Sequence, residues 1–309
     1  MANPIPKPEV KQLNSILTKE FRGVMFLTGH RGVGKSFLAA QADAPENILF
    51  LDFEEKGAGI DAMLNFGRYE SITSIAAKEH GAMYKPSQLF EVIKNVTNDI
   101  EPNKYTVAVL DNIQPFEEAM LAAVKLNSVS FGIDPKNAAS GAYGGAWPAV
   151  NGLVSGFCNK LYSKGIRLVI AIAHMKQPWS SSGPIPNKWK PKGVERWHEL
   201  SILSLVLIPG DFPPIPSALV QKEQLGLLAY DPEKGEHTIQ RRMPLRLSKA
   251  TFAEIRRYLK EPADLAKPME GEVPTNEETK PYSDKFDREQ LEYLKVAAQA
   301  ALVEQKEKP

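Results

Sequence analysis

Eight consecutive residues, Gly29-His30-Arg31-Gly32-Val33-Gly34-Lys35-Ser36, have the spacing G-x-x-x-x-G-K-S. They lie between an apolar run and a segment of helical character, the context in which this spelling binds phosphate. Gly29, Gly32 and Gly34 let the backbone wrap closely around phosphate oxygens, and the inward amides of such a loop make a nest for anions. Lys35 would reach the β- and γ-phosphates of a nucleotide, and the Ser36 hydroxyl would ligate Mg²⁺. His30, Arg31, Val33 and Phe37 complete the stretch expected to touch the nucleotide. The bland alternative, a chance glycine-rich turn, fits poorly with a strand on one side and a helix on the other.

Three further polar residues end apolar runs. Asp111 closes TVAVLD, where a strand-tip carboxylate can hold the metal; alone it could equally be a turn or cap residue, since Asn112 and Pro115 follow. Asp52-Phe53-Glu54-Glu55 follows the second run. Hydrolysis needs a carboxylate to orient or deprotonate water, and Glu54 is preferred over Glu55, against a plain solvated acidic turn. His174 ends the fourth run, where it could touch a γ-phosphate or simply bond to backbone.

These residues need elements to position them. Buried strands are expected at 23–29, 47–53, 106–113, 167–174 and 199–208, each a nearly continuous Val/Ile/Leu-rich run. Helices are expected at 36–42, at 86–100 with Ser87 as cap, and at 150–165. Continuous apolar runs alternating with helices point to an α/β fold, a mostly parallel sheet covered on both faces. Residues 127–147 and 175–193 read as loops. A hairpin is expected over 226–239, turning at 231–235. Thr251 and Glu254 fit a capping box opening a helix that ends before Pro262. The expected organisation is a lead-in over 1–20, one domain over 21–262, a Pro/Glu/Thr-rich linker over 263–282 and a helical tail over 283–309. That tail carries Phe286, Leu291, Leu294, Ala298, Leu302 and Val303 near helical spacing, fit to dock on its own core or on a partner protein, or to stay solvated.

Composition narrows the classes. The chain has 309 residues, 43% hydrophobic and 24% charged, with a formal net charge of +1. That composition argues against a wholly disordered chain. One cysteine, Cys158, excludes an internal disulfide and argues against a cysteine-ligated zinc; it is expected in the core. No apolar run approaches the ~20 residues of a spanning helix, and the first ten residues lack the apolar region of a secretory signal. A cytoplasmic protein is expected. Ten acidic against six basic residues from 268 onward give −4 there and leave +5 for the rest. That balance permits a nucleic-acid partner without requiring one.

All four tryptophans, 147, 179, 189 and 197, fall in or beside the two long loops. Lys176, Lys188, Lys190, Lys192 and Arg196 accompany the last three. Cations for phosphates together with aromatic faces for bases are what a single-strand binder uses. Lys176, Trp179, Lys188, Trp189, Lys190 and Lys192 are therefore the candidate DNA contacts, against a solvated basic loop with tryptophans folded inward. Trp197 is expected in the core. Arg241, Arg242 or Arg246 could reach a neighbour's γ-phosphate in an oligomer, or form a basic rim.

The order of these parts resembles that of a RecA-fold P-loop ATPase, and more narrowly the compact RecA-like ATP-binding proteins of bacteriophages. The residues that carry the resemblance are GHRGVGKS (29–36), LDFEE (51–55), VLDNI (109–113), IAH (172–174) and MPLRLSKATFAEIRRYL (243–259), so it spans about 20–262. It implies a RecA-like NTPase core with a C-terminal hairpin, ATP and Mg²⁺ as ligands, Glu54 as catalytic carboxylate, single-stranded DNA bound by the loops at 127–147 and 175–193, and homo-oligomers, as filament or ring, in a bacterial host's cytoplasm. His174 stands where the family usually has Gln, the first loop is longer, and RecA's large C-terminal domain is missing. Two other readings stay open: a nucleotide-switched loader with slow turnover that recruits a partner through its tail, and a ring-forming DNA motor.

Overall fold

The computed structural model describes residues 10–12, 23–55, 57–139, 145–176, 179–180, 183–184, 190–191, 196–212, 215–223, 227–231, 236–240, 246–252 and 254–255. In chain order its strands are β1 (Val10–Gln12), β2 (Gly23–Gly29), β3 (Ile48–Asp52), β4 (Arg68–Ser71), β5 (Val107–Asp111), β6 (Leu168–Lys176), β7 (Trp179–Ser180), β8 (Gly183–Pro184), β9 (Lys190–Pro191), β10 (Ser201–Phe212), β11 (Ile215–Glu223), β12 (Leu227–Asp231), β13 (Glu236–Gln240) and β14 (Arg246–Leu247). The helices are α1 (Lys35–Ala39), α2 (Ala58–Leu64), α3 (Ile72–His80), α4 (Pro86–Asn98), α5 (Ile113–Leu126), α6 (Pro135–Ala139), α7 (Trp147–Ser163) and α8 (Arg196–Leu200).

The central sheet runs β14-β11-β10-β2-β6-β5-β3-β4. β10, β2, β6, β5, β3 and β4 are mutually parallel, while β11 and β14 add antiparallel strands at one edge. This is the mostly parallel α/β sheet expected from the sequence. The apolar runs are continuous because both faces are covered. Val24 and Phe26 of β2 face one core with Leu49, Leu51, Ala108, Leu110, Val169 and Ala171, under α3, α4, α5, α7 and α8. Met25 and Leu27 face the other, with Ile48, Phe50, Val107, Val109, Ile170 and Ile172, under α1 and the segment around Phe252 and Ile255.

Several local expectations change. α4 starts one residue before Ser87: Pro86 takes the first helical position, and Lys85 is the N-cap, its amide bonded to Gln88 Oε1 at 2.7 Å. A proline is pre-set for that first position, so it moves the cap outward. The 127–147 stretch is not all loop, since it holds a 3₁₀ turn over Ser128–Phe131, α6 and the start of α7. Two of the four tryptophans leave the loop picture. Trp197 is fully buried against Phe116, as expected, and Trp147, at the first position of α7, is half-buried against the same core. Cys158 is buried there too. The backbone of the expected hairpin is present as β12 paired with β13 from Leu227↔Gln240 to Asp231↔Glu236. The capping box is half visible: Glu254 N donates to Thr251 Oγ1 at 3.2 Å. The lead-in, apart from β1, the linker and the tail lie outside the described residues, as do Arg241 and Arg242 and the side chain of Arg246.

Candidate nucleotide site

The strand order brings the polar residues to one end of the sheet. β6 lies between β2 and β5, and β3 lies beyond β5. Register pairs Gly29 with His174 and Asp52 with Asp111, so four strand ends meet at their carboxyl tips. The carboxyl edge of a parallel sheet is where α/β folds bind ligands.

The loop after β2 is wound tightly enough to cradle a phosphate. Gly34 caps α1 at φ 90°, and Gly29 has φ 152°. A Cβ on Gly29 would lie 2.7 Å from the Leu207 carbonyl oxygen, so only glycine fits there. Val33 is buried beneath the loop, while Arg31 and Gly32 are exposed and His30, Gly34 and Ser36 half-buried. Lys35 is 4% exposed, and its Nζ donates to the carbonyls of Gly29 at 3.0 Å and His30 at 2.7 Å. Phe37 stands out of the surface at 39% exposure.

Asp111 is 6% exposed and accepts a hydrogen bond from Ser36. Burial pushes its carboxyl up to about 6; Asp52 and Glu54 add to the rise, while Ser36 and Lys35 oppose it. A hydroxyl and a buried carboxylate meeting beside a buried lysine are the oxygen donors a Mg²⁺ ion takes when phosphates supply the rest. The residues present therefore fit such an ion. Among the described residues no cluster of three or more His, Cys, Asp or Glu forms a metal site of its own.

Glu54 lies in the bend after β3, half-buried. His174 Nε2 is 3.2 Å from its Oε1 and 3.1 Å from its Oε2. Asn112 Nδ2 donates to Oε1 at 2.5 Å, and Arg31 Nη2 stands 3.9 Å away. A carboxylate only accepts, so His174 Nε2 carries the proton. Its Nδ1 is buried without a hydrogen-bond partner. Burial holds the imidazole below its ordinary range, against the pull of Glu54, so it is neutral near pH 7. Glu55 is turned away: it is exposed, and its Oε1 accepts from Ser74 Oγ at 3.0 Å and Thr73 Oγ1 at 3.3 Å. Of the two glutamates, only Glu54 is brought to Lys35, Asp111 and His174.

Two residues absent from the sequence-based set belong here. In the sequence Asn112 stands out only as a turn neighbour of Asp111. Asp52 is fully buried and accepts from Glu54 N at 2.7 Å, Gly57 N at 2.6 Å and Tyr69 Oη at 2.7 Å, fixing the bend that carries Glu54. No local spacing reports either contact; a polar residue buried at the end of a core strand is the one available signal.

The candidate DNA contacts are placed only in part. β6 extends two residues past His174, and Lys176 pairs with Lys190 across an antiparallel bridge to β9, with Met175 opposite Pro191. Both lysines are exposed. The backbone of Trp179 pairs with Pro184. The Trp179 side chain and Lys188, Trp189 and Lys192 lie outside the described residues.

No helix among the described residues is long and apolar enough to cross a membrane. No curated protein matches the sequence. Among solved structures the chain is similar to the RadB recombinase, at 13% identity and a TM-score of 0.36, covering 69% of this chain and 89% of that one. It is also similar to a KaiC-like protein of the hyperthermophilic archaeon Pyrococcus horikoshii OT3, at 12% identity and a TM-score of 0.31, covering 75% and 100%. Residues 23–199, more than half of the chain and all of the site just described, match the AAA domain family. The chain belongs to the AAA domain family.

Proposed function

We propose that this protein is a Mg²⁺-dependent ATPase that binds single-stranded DNA in phage-type recombination or repair. The hydrolytic part is carried by one observation: Ser36, Asp111 and buried Lys35 converge on the cradle while Glu54 is held beside them by His174. Lys35 and the loop amides hold the phosphates, and Ser36 with Asp111 holds the metal. Bound Mg²⁺ supplies charge neutralisation on the phosphate oxygens. Glu54 orients and deprotonates the attacking water, and the neutral His174 keeps that carboxylate in place.

The DNA part is supported by the opposed Lys176–Lys190 pair. Like charges directly opposite in a ladder repel, and a phosphate backbone laid across them removes that repulsion. Lys176 lies two residues beyond His174 on the same strand, which sets the pair close to the nucleotide site. The phage context rests on the resemblance in the order of the motifs alone. Replacing Lys188, Trp189 and Lys190 together by alanine tests the DNA reading. Affinity for single-stranded DNA should fall with ATP turnover partly retained; unchanged affinity would remove the loop from the account.

A second reading, a nucleotide-switched loader, is favoured by one feature. Leu126, the last residue of α5, and Val129 and Phe131 in the 3₁₀ turn after it are exposed, at 74%, 76% and 39%, and the other end of α5 is capped by Asn112 in the site. Weak turnover indifferent to DNA would favour this reading.

A further inference from the structure

We infer that Asn112 is the positioning residue for Glu54, and this rests on the hydrolytic reading above. Glu54 lies two residues past the end of β3, on a bend, where a free carboxylate side chain has several rotamers. The groups that face it include His174 Nε2, Asn112 Nδ2 and the guanidinium of Arg31. Arg31 is 68% exposed and 3.9 Å away, which makes its pairing weak. His174 and Asn112 approach from the two adjacent strand ends and are both shielded from water. Together they select one rotamer.

Asn112 does so from an unusual backbone. Its φ is 63° and ψ 93°, a left-handed conformation that side chains other than glycine's rarely adopt and that asparagine tolerates best. The chain turns there from β5 into α5 within one residue. That turn lets the side chain use both ends at once, Oδ1 accepting from Gln114 N at 3.2 Å and Nδ2 donating to Glu54. Strained backbone gathers at functional sites, where the surroundings hold it in place. The chemistry also accounts for the residue type. Aspartate would cap α5 equally well but set a carboxylate against Glu54, serine would not reach, and glycine would relieve the backbone and offer no donor.

The test separates the cap from the donor. Asn112→Asp keeps the acceptor for Gln114 N, at a helix start that favours an acid, and removes the donor. Asn112→Gly keeps the backbone and removes both. Both chains should stay folded and bind a fluorescent ATP analogue in the absence of Mg²⁺ about as the wild type does, while kcat for ATP falls roughly 10–100-fold. A helix cap alone would move the melting temperature and not kcat. A second measurement does not depend on turnover. The Asn112 side-chain amide signals, recognised by their loss in the Asn112→Asp spectrum, should shift in a Glu54→Ala chain. Wild-type kcat in Asn112→Asp, or amide signals indifferent to Glu54→Ala, overturns the inference. A wild type with no ATP turnover overturns the hydrolytic reading instead, and the amide shift then decides on its own whether Asn112 holds Glu54.

Discussion

His174 Nε2 reaches both carboxylate oxygens of Glu54, at 3.2 and 3.1 Å, although their strands are not neighbours. β5, ending in Asp111, lies between β6 and β3, so the two backbones are about 10 Å apart. The pair therefore bridges over the Asp111–Asn112 corner, beside the phosphate loop, where Gly29 is paired with His174 and Arg31 stands 3.9 Å from Glu54. A carboxylate held this way by a neutral donor keeps its charge and its direction, both of which a general base needs.

The two adjacent glutamates should behave differently. Glu54→Gln should lower ATP turnover roughly 10²–10³-fold while leaving nucleotide binding intact. Glu55→Gln should leave turnover near wild type, because Glu55 is bonded to Thr73 and Ser74 on α3. Steady-state kinetics on the two variants decide this, and the reverse pattern would transfer the role to Glu55.

Asp111 sets stability against function. Its carboxyl, raised to about 6 by burial, ionises in the unfolded chain before it ionises in the folded one. Stability of the ligand-free protein therefore falls as pH rises from about 4 to about 6, and above that the full cost remains, on the order of 1–3 kcal/mol. Asp111→Asn should raise the ligand-free melting temperature at pH 7 and erase the further rise that Mg²⁺ with nucleotide gives the wild type. A variant that melts lower than wild type at pH 7 would contradict the burial argument.

The same group predicts an acid limb in the activity profile. At low Mg²⁺, turnover should fade as pH drops through about 6, where Asp111 takes up a proton. Raising Mg²⁺ should move that limb to lower pH, since metal and proton compete for one carboxylate. A limb that ignores Mg²⁺ would assign it to another group.

Lys176 and Lys190 should be read through salt. Replacing both by alanine should weaken single-stranded DNA binding and reduce the slope of log affinity against log salt by about 1.4, if each lysine neutralises one phosphate. Equal slopes for variant and wild type would show that neither lysine meets a phosphate.

Much of the fold is legible in the sequence where burial is two-sided. Residues 23–29, 48–52 and 107–111 read as strands because every position is covered, leaving no polar alternation to confuse them. α5 was not legible. IQPFEEAMLAAVKL follows β5 through a single residue, and Pro115 near its start reads as a break, although a proline in the first turn of a helix is harmless. β11 was missed because its polar residues Ser217, Gln221 and Lys222 dilute the apolar pattern of an antiparallel strand near a sheet edge. The phosphate loop was legible since its chemistry is contiguous. The Asn112–Glu54 contact was not, because it joins residues 58 apart and exists only through the order of the strands.

The most direct measurement is Mg²⁺-dependent ATP turnover by the wild type and by Lys35→Ala, each with and without single-stranded DNA. Lys35 Nζ donates to the loop carbonyls of Gly29 and His30, so the alanine chain should stay folded and lose turnover by more than about 10²-fold. The account predicts turnover that DNA stimulates in the wild type and that is absent from the variant under both conditions. Turnover that survives in Lys35→Ala, or wild-type turnover indifferent to DNA, would contradict it.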